Sequence, residues 1–176
     1  MQRGLGPWGD LRGAIAEAAF MVGLERNSDK VKLAAYAPLF ANVEHTVWTP
    51  NMLYVSADRV FASPSWTVQK LFSENRGAEV LRCDVPSDAK DLMASAMKAA
   101  DGATVVKLVN YSAGEQSVGL NLVGSASRTI FTGDGPSAHN SLYALESLAE
   151  RRDTVSLGGG ELRLPPYSLT ILRLRR

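Results

Sequence analysis

Apolar positions early in the chain recur with helical spacing. Leu11, Ile15, Ala18 and Val22 fall at i, i+4, i+7 and i+11, one face of a helix. Asp10 stands where an N-cap carboxylate accepts first-turn N–H groups, so the spacing predicts a helix from Asp10 to about Arg26. Alanines at 14, 16, 18 and 19 keep that helix slim, which suits close packing on a sheet. Asn27-Ser28-Asp29 is a polar stop. Val31 to Phe40 is then apolar at nearly every position after Lys32, which predicts a strand covered on both faces. It should end near Pro38, which has no N–H to give a ladder. Residues 42–63 form a long connection holding Trp48, Pro50, Asn51, Tyr54 and Asp58, and ordered loops of that length are usually functional. A second helix is expected over Ser65–Asn75, with Gly77 as its terminator.

From Ala78 onward the period changes to two. Strands are expected over Glu79–Val85, Leu92–Ala99, Thr104–Tyr111, Gln116–Val123, Arg128–Thr132, Thr154–Leu157, Glu161–Leu164 and Tyr167–Leu174. Asp101-Gly102 and Gly158-Gly159-Gly160 are hairpin signals. Leu142 to Arg152 reads as a loop with at most one helical turn. Short strands at regular spacing imply a β-sandwich. The fold class is therefore mainly β: a C-terminal antiparallel β-sandwich preceded by an α-β-α remnant of a (β/α)8 barrel. The boundary is expected at Gly77, with residues 1–77 as the closing unit of the barrel and 78–176 as the sandwich. Without barrel neighbours, the Val31–Phe40 strand would have an unpaired edge, so self-association through it is expected, with weaker hydrogen-exchange protection before Gly77 than after it.

Composition narrows the partners. The chain is 45% hydrophobic and 21% charged, with 19 basic against 18 acidic residues, so nothing in its charge attracts nucleic acid or an acidic membrane. The basic end Arg173, Arg175, Arg176 reads as a solvated strand end. No apolar run reaches the roughly 18 residues that a membrane span needs, and the leader MQRGLGPWG has no apolar h-region of a secretory signal. The single Cys83 excludes an internal disulfide and a cysteine zinc site. His45 and His139 are far apart in sequence, so no metal site is expected, nor any cofactor.

Ala16 to Asp29 (A-E-A-A-F-M-x-G-L-E-R-N-x-D), Ala35 to Asn42 (A-Y-A-P-L-F-A-N), Trp48 to Asn51 (W-x-P-N) and Pro64 to Gly77 (P-S-W-x-V-Q-K-L-F-S-x-N-x-G) together resemble the α-L-arabinofuranosidases of glycoside hydrolase family 51. The C-terminal L-P-P-Y-S-x-T-I-L (Leu164 to Leu172) resembles the last strand of the same family's terminal domain. The resemblance implies a (β/α)8 barrel followed by a β-sandwich. It implies release of terminal arabinofuranosyl units from arabinan and arabinoxylan with retention of configuration, so the expected partner is an arabinose-containing polysaccharide or oligosaccharide, reached through the parent enzyme. Retention uses two carboxyl groups about 5 Å apart, carried in a barrel at the carboxyl ends of strands. In the family the acid/base glutamate lies on an earlier strand. The nucleophile lies on the strand before the helix that starts here at Asp10. Met1 to Gly9 contain no carboxylate, so no catalytic residue is assigned and the chain is expected to be inactive alone. The alternative is a non-catalytic carbohydrate-binding or scaffold module.

Among local candidates, Asn42 and Trp48 are the expected substrate-binding residues. An amide can hydrogen-bond sugar hydroxyls, and an indole face can pack on sugar C–H groups. The other reading of Trp48 is that its ring pins the loop. Glu44-His45 sits beyond the strand end, where an exposed polar loop outweighs a chemical role. Glu17 and Glu25 read as solvated or capping residues on the outer helix. In the sandwich Tyr111, Tyr143 and Tyr167 are the only aromatics of the Trp/Tyr kind, a poor supply for a sugar platform.

Overall fold

The structure is a computed structural model describing residues 8–158 and 160–175. Helix α1 spans Leu11–Arg26, with the Asp10 carboxylate accepting from the Gly13 N–H at 2.8 Å. Its next free donors do not reach water: Leu11 N–H bonds to Ala138 O and Arg12 N–H to Pro136 O, each at 2.9 Å. Helix N-termini leave such donors orphaned, and here a distant loop accepts them. The helix ends at Asn27, whose side-chain amide donates to Gly23 O.

Three short strands follow, β1 Phe40–Asn42, β2 Leu53–Val55 and β3 Val60–Ala62, then helix α2 over Pro64–Glu74. β1 pairs parallel with β2, and β2 pairs antiparallel with β3. The sandwich strands are β4 Glu79–Leu81, β5 Leu92–Lys98, β6 Thr104–Asn110, β7 Gln116–Gly119, β8 Gly124–Phe131, β9 Arg151–Leu157, β10 Glu161–Leu164 and β11 Ser168–Leu174. Six form one antiparallel sheet in the order β4-β5-β6-β11-β8-β9, and β10 pairs with β7 in a second. β5 and β6 join through a tight hairpin at Asp101-Gly102, where Gly102 takes φ +82°, a conformation that glycine adopts without strain.

The large sheet is covered on both faces. Val105, Val109, Leu169, Ile171 and Phe131 pack with α1 and α2. The alternate positions Val106, Leu108, Leu172 and Leu174 pack with Leu162 and Leu164 of β10. The two helices and the sheet thus share one core. Gly77 lies at their junction, where a Cβ would come within 2.2 Å of Met97 Cβ.

Lys107 of β6 falls at the inward position between Val105 and Val109 and is wholly buried. Its ammonium donates to Glu25 Oε1 of α1 at 2.6 Å and to Asn75 O, the C-cap of α2, at 2.8 Å. It also lies 5.0 Å from the centre of the Phe72 ring. Glu25 Oε2 accepts from Ser95 of β5. Burial pulls the Lys107 pKa below the usual lysine value, and the Glu25 carboxylate opposes that shift. One ion pair therefore joins both helices to two strands.

Several expectations are corrected. Val31 to Leu39 form no strand; the chain there is largely exposed, with Leu33 and Leu39 in solvent, and regular pairing begins at Phe40. An apolar run becomes a buried strand only when both faces are covered, and β2 is the one strand paired with this segment among the described residues. The Gly158–Gly160 segment, of which Gly159 lies outside the described residues, is not a hairpin. β9 pairs with β8 and β10 with β7, so the chain changes sheets there. Glu17 and Glu25 are not solvated, because their helix face meets the sheet and α2. The basic strand end does stay at the surface, where Arg173 donates to Asp101 at 2.6 Å and Arg175 is exposed. The leader residues 1–7 and Arg176 lie outside the described residues.

Removing one partner of a buried ion pair typically costs about 3–5 kcal/mol, whereas replacing both can be nearly neutral. Lys107→Ala should lose stability of about that size in urea unfolding, and the double change Lys107→Met with Glu25→Gln should recover most of it. Gly77→Ala should cost about 1–3 kcal/mol through overpacking against Met97, read in the same assay.

Candidate functional site

The carboxyl end of β1 is where a barrel strand would present its chemistry. β1 alternates: Ala41 turns inward against Tyr54 and Phe61, while Phe40 and Asn42 turn outward. Beneath them Trp8, Tyr54 and Phe61 form an aromatic cluster, Tyr54 stacked on Phe61 at 4.9 Å and Trp8 edge-on to Tyr54 at 4.9 Å. That cluster gives a three-residue strand a firm base.

Asn42 is exposed at the strand end. Its Oδ1 accepts from the Glu44 N–H at 2.9 Å, and its carbonyl accepts from His45 and Thr46 N–H groups. The amide oxygen is therefore spent on the turn, and the NH2 makes no hydrogen bond among the described residues. Glu44 and His45 are both exposed. The Glu44 carboxylate has no hydrogen bond or ion pair among the described residues.

Trp48 has its ring in solvent, 65% exposed. The ring does not pin the loop; backbone contacts do. Trp48 O accepts from Thr46 Oγ1 at 2.8 Å and from the side-chain amide of Asn51. Asn51 is buried, and its own N–H donates to Tyr54 Oη at 2.6 Å. The loop is thus anchored from the aromatic cluster outward, leaving the indole face free. Asn42 and Trp48 belong to one hydrogen-bonded loop linked by Thr46, but Asn42 stands at the carboxyl end of β1 and Asn51 holds Trp48 near the start of β2.

Behind the strand lies a polar cluster that sequence reasoning missed. Glu17 Oε1 accepts from Ser65 Oγ at 3.0 Å and lies 3.5 Å from Tyr36 Oη. Its Oε2 is buried with no partner among the described residues. Burial raises the Glu17 pKa above its ordinary value, with the Ser65 and Tyr36 hydroxyls opposing. Burial likewise raises the Tyr36 and Tyr54 phenols. A glutamate in a helical pattern gives no hint of this, because Ser65 is 48 residues away.

The sandwich also reaches this end of β1. The β2–β3 hairpin tip lies on the same side as Asn42, since β2 runs parallel to β1. Arg59 at that tip donates to Leu142 O at 3.1 Å, and Leu142 packs on the Ala41–Tyr54–Phe61 cluster. Asn140 is buried, donating to Ala62 O and accepting from Leu148 N–H, each at 2.9 Å.

A group whose folded-state pKa is raised binds more protons folded than unfolded between the two values, so stability falls as pH rises through that window. For Glu17 the contribution is fully present below its unfolded value near 4.5 and is lost as pH rises through the higher folded value. Glu17→Gln should remove this dependence: thermal melts of the variant and the parent should diverge in the variant's favour as pH is raised from 4 to 7.

Comparison with known proteins gives this geometry a family. The model of the α-L-arabinofuranosidase C-terminal domain matches residues 3–168. A probable α-L-arabinofuranosidase A of Aspergillus terreus is 38% identical over 172 residues, covering 94% of this chain and 27% of that protein. α-L-Arabinofuranosidase 1 of Arabidopsis thaliana is 29% identical, covering 92% of this chain and 26% of that protein. Among solved structures, an arabinose-bound GH51 α-L-arabinofuranosidase superposes with a TM-score of 0.84 at 33% identity, over 93% of this chain and 27% of its own. The Thermotoga maritima α-L-arabinofuranosidase, in complex with arabinose, shares the fold at a TM-score of 0.82 and 19% identity, over 94% of this chain and 38% of its own. The chain thus spans about a quarter of the length of the curated relatives it matches. It belongs to the α-L-arabinofuranosidase C-terminal domain family and corresponds to the C-terminal portion of a glycoside hydrolase family 51 enzyme.

Proposed function

We propose that this chain serves a retaining α-L-arabinofuranosidase that removes terminal arabinofuranosyl units from arabinan and arabinoxylan, and that it does not hydrolyse them alone. The family match over residues 3–168 carries the reading. The second half rests on the family resemblance: a retaining reaction needs two carboxyl groups about 5 Å apart, the family carries both glutamates on strands before the helix that starts at Asp10, and residues 1–9 hold no carboxylate. On this reading residues 1–77 are the closing unit of a (β/α)8 barrel and 78–176 the sandwich that buttresses it. Asn42 and Trp48 bind sugar: the amide NH2 donates to a hydroxyl, and the free indole face packs on a ring.

The pure 176-residue chain should give no turnover of an aryl arabinofuranoside, and adding a catalytic barrel portion should bring turnover. Hydrolysis by the chain alone that survives Glu44→Gln would overturn the reading. Acid/base assistance alone is commonly worth about 10²–10⁴-fold, so the difference is well within the range of the assay.

We also propose that the chain self-associates. β1 is an edge strand among the described residues, its Phe40 is exposed, and so are Leu33, Val47 and Trp48 in the segments that precede and follow it. Open edges flanked by apolar side chains pair with other chains. Sedimentation velocity should show concentration-dependent association that Leu33→Ser with Phe40→Glu suppresses. A clean monomer at every concentration would refute this.

A further inference from the structure

We propose that Tyr143, on the β8–β9 connection of the sandwich, is a specificity-determining residue that contacts a sugar ring of the polysaccharide beyond the arabinofuranosyl unit. The inference rests on the arabinofuranosidase reading above. Tyr143 is 95% exposed, the most open aromatic side chain among the described residues. A lone exposed apolar residue is ordinary; what distinguishes this one is the fixity of its loop and where that loop is held. Ser141 and Ala144 exchange backbone hydrogen bonds at 3.0 and 3.2 Å, closing a tight turn with Tyr143 inside it. Tyr143 N–H donates to Ser141 Oγ. The residue before it, Leu142, is docked on the Ala41–Tyr54–Phe61 cluster and fixed by Arg59. The buried Asn140 ties both arms of the connection to β3.

These ties hold Tyr143 at the end of the molecule that carries Asn42 and the β2–β3 hairpin tip, the end at which barrel enzymes bind substrate. A tyrosine offers one apolar face for sugar C–H groups and one hydroxyl for a hydrogen bond, and loses little conformational freedom on binding. Because the turn is already formed, little further ordering opposes the contact. A polysaccharide extending from the site meets this ring, whereas a small aryl glycoside ends short of it.

The test uses the 176-residue chain and arabinoxylo-oligosaccharides as the probe. In NMR titrations the Tyr143 ring resonances should shift saturably, and Tyr143→Ala should abolish those signals without changing the rest of the spectrum. Absence of any ring shift at saturating sugar would overturn the proposal. With a catalytic barrel portion supplied, Tyr143→Ala should lower the ratio of kcat/KM on arabinoxylan to that on an aryl arabinofuranoside by about 2–10-fold. Tyr143→Phe, which keeps the ring, should retain most of it. An unchanged ratio in an active enzyme also overturns the proposal. A wild-type assembly that hydrolyses neither substrate refutes the arabinofuranosidase reading instead, and the ring shift decides the sugar contact separately.

Discussion

The buried pair Lys107–Glu25 is the constraint on which the rest of this structure hangs. A lysine at an inward position of a central strand is costly unless its charge is met and its donors are satisfied. Here the partners come from the last turn of α1 and the C-cap of α2, so the cation is satisfied only when both helices lie on the sheet. Apolar packing alone would let the helices slide along the sheet with modest loss. The ion pair fixes their register, and the ends of the helices fix where β1 to β3 can stand.

A second set of ties works from the other side. The β8–β9 connection accepts the first N–H groups of α1, brackets β3 through Asn140 and takes the guanidinium of Arg59. A segment that reads as a passive polar loop therefore sets the position of three elements. The candidate site is consequently a composite: its floor is the Trp8–Tyr54–Phe61 cluster, its rim is the Asn42–Asn51 loop, and its flank comes from the sandwich. Loops that carry function need a rigid frame, and here the frame is shared between two parts of the chain.

The sequence disclosed what is local. α1 and its Asp10 cap followed from a 3.6-residue period, and β5, β6, β10 and β11 followed from a period of two with turn residues between. Asn42 and Trp48 are distinguished in the sequence by their chemistry, and both stand exposed. What could not be read has a common cause. Lys107 sits among valines and a leucine in TVVKLVN, where alternation suggests a solvent-facing cation; only the covering of the second face by two helices, whose contacts Glu25 and Asn75 lie 82 and 32 residues away, makes it internal. Glu17 with Ser65, Asn140 with Ala62 and Arg59 with Leu142 are 48, 78 and 83 residues apart. No local pattern records such pairs. Val31 to Leu39 failed in the opposite way: the run has the composition of a doubly covered strand, and composition does not say whether the covering layers are at hand.

The capping of α1 by Pro136 and Ala138 also bears on the order in which the molecule can be made. During synthesis the helix leaves the ribosome long before the loop that accepts its first donors. At ordinary elongation rates the interval is on the order of ten seconds. An isolated helix of this length is marginal in water, and for that interval the Leu11 and Arg12 N–H groups lack their loop acceptors, with only the local Asp10 cap at hand. Contacts of such sequence separation slow folding, because loop-closure entropy is lost before they form. α1 therefore gains its full set of partners only when β8 and the turn beyond it have emerged.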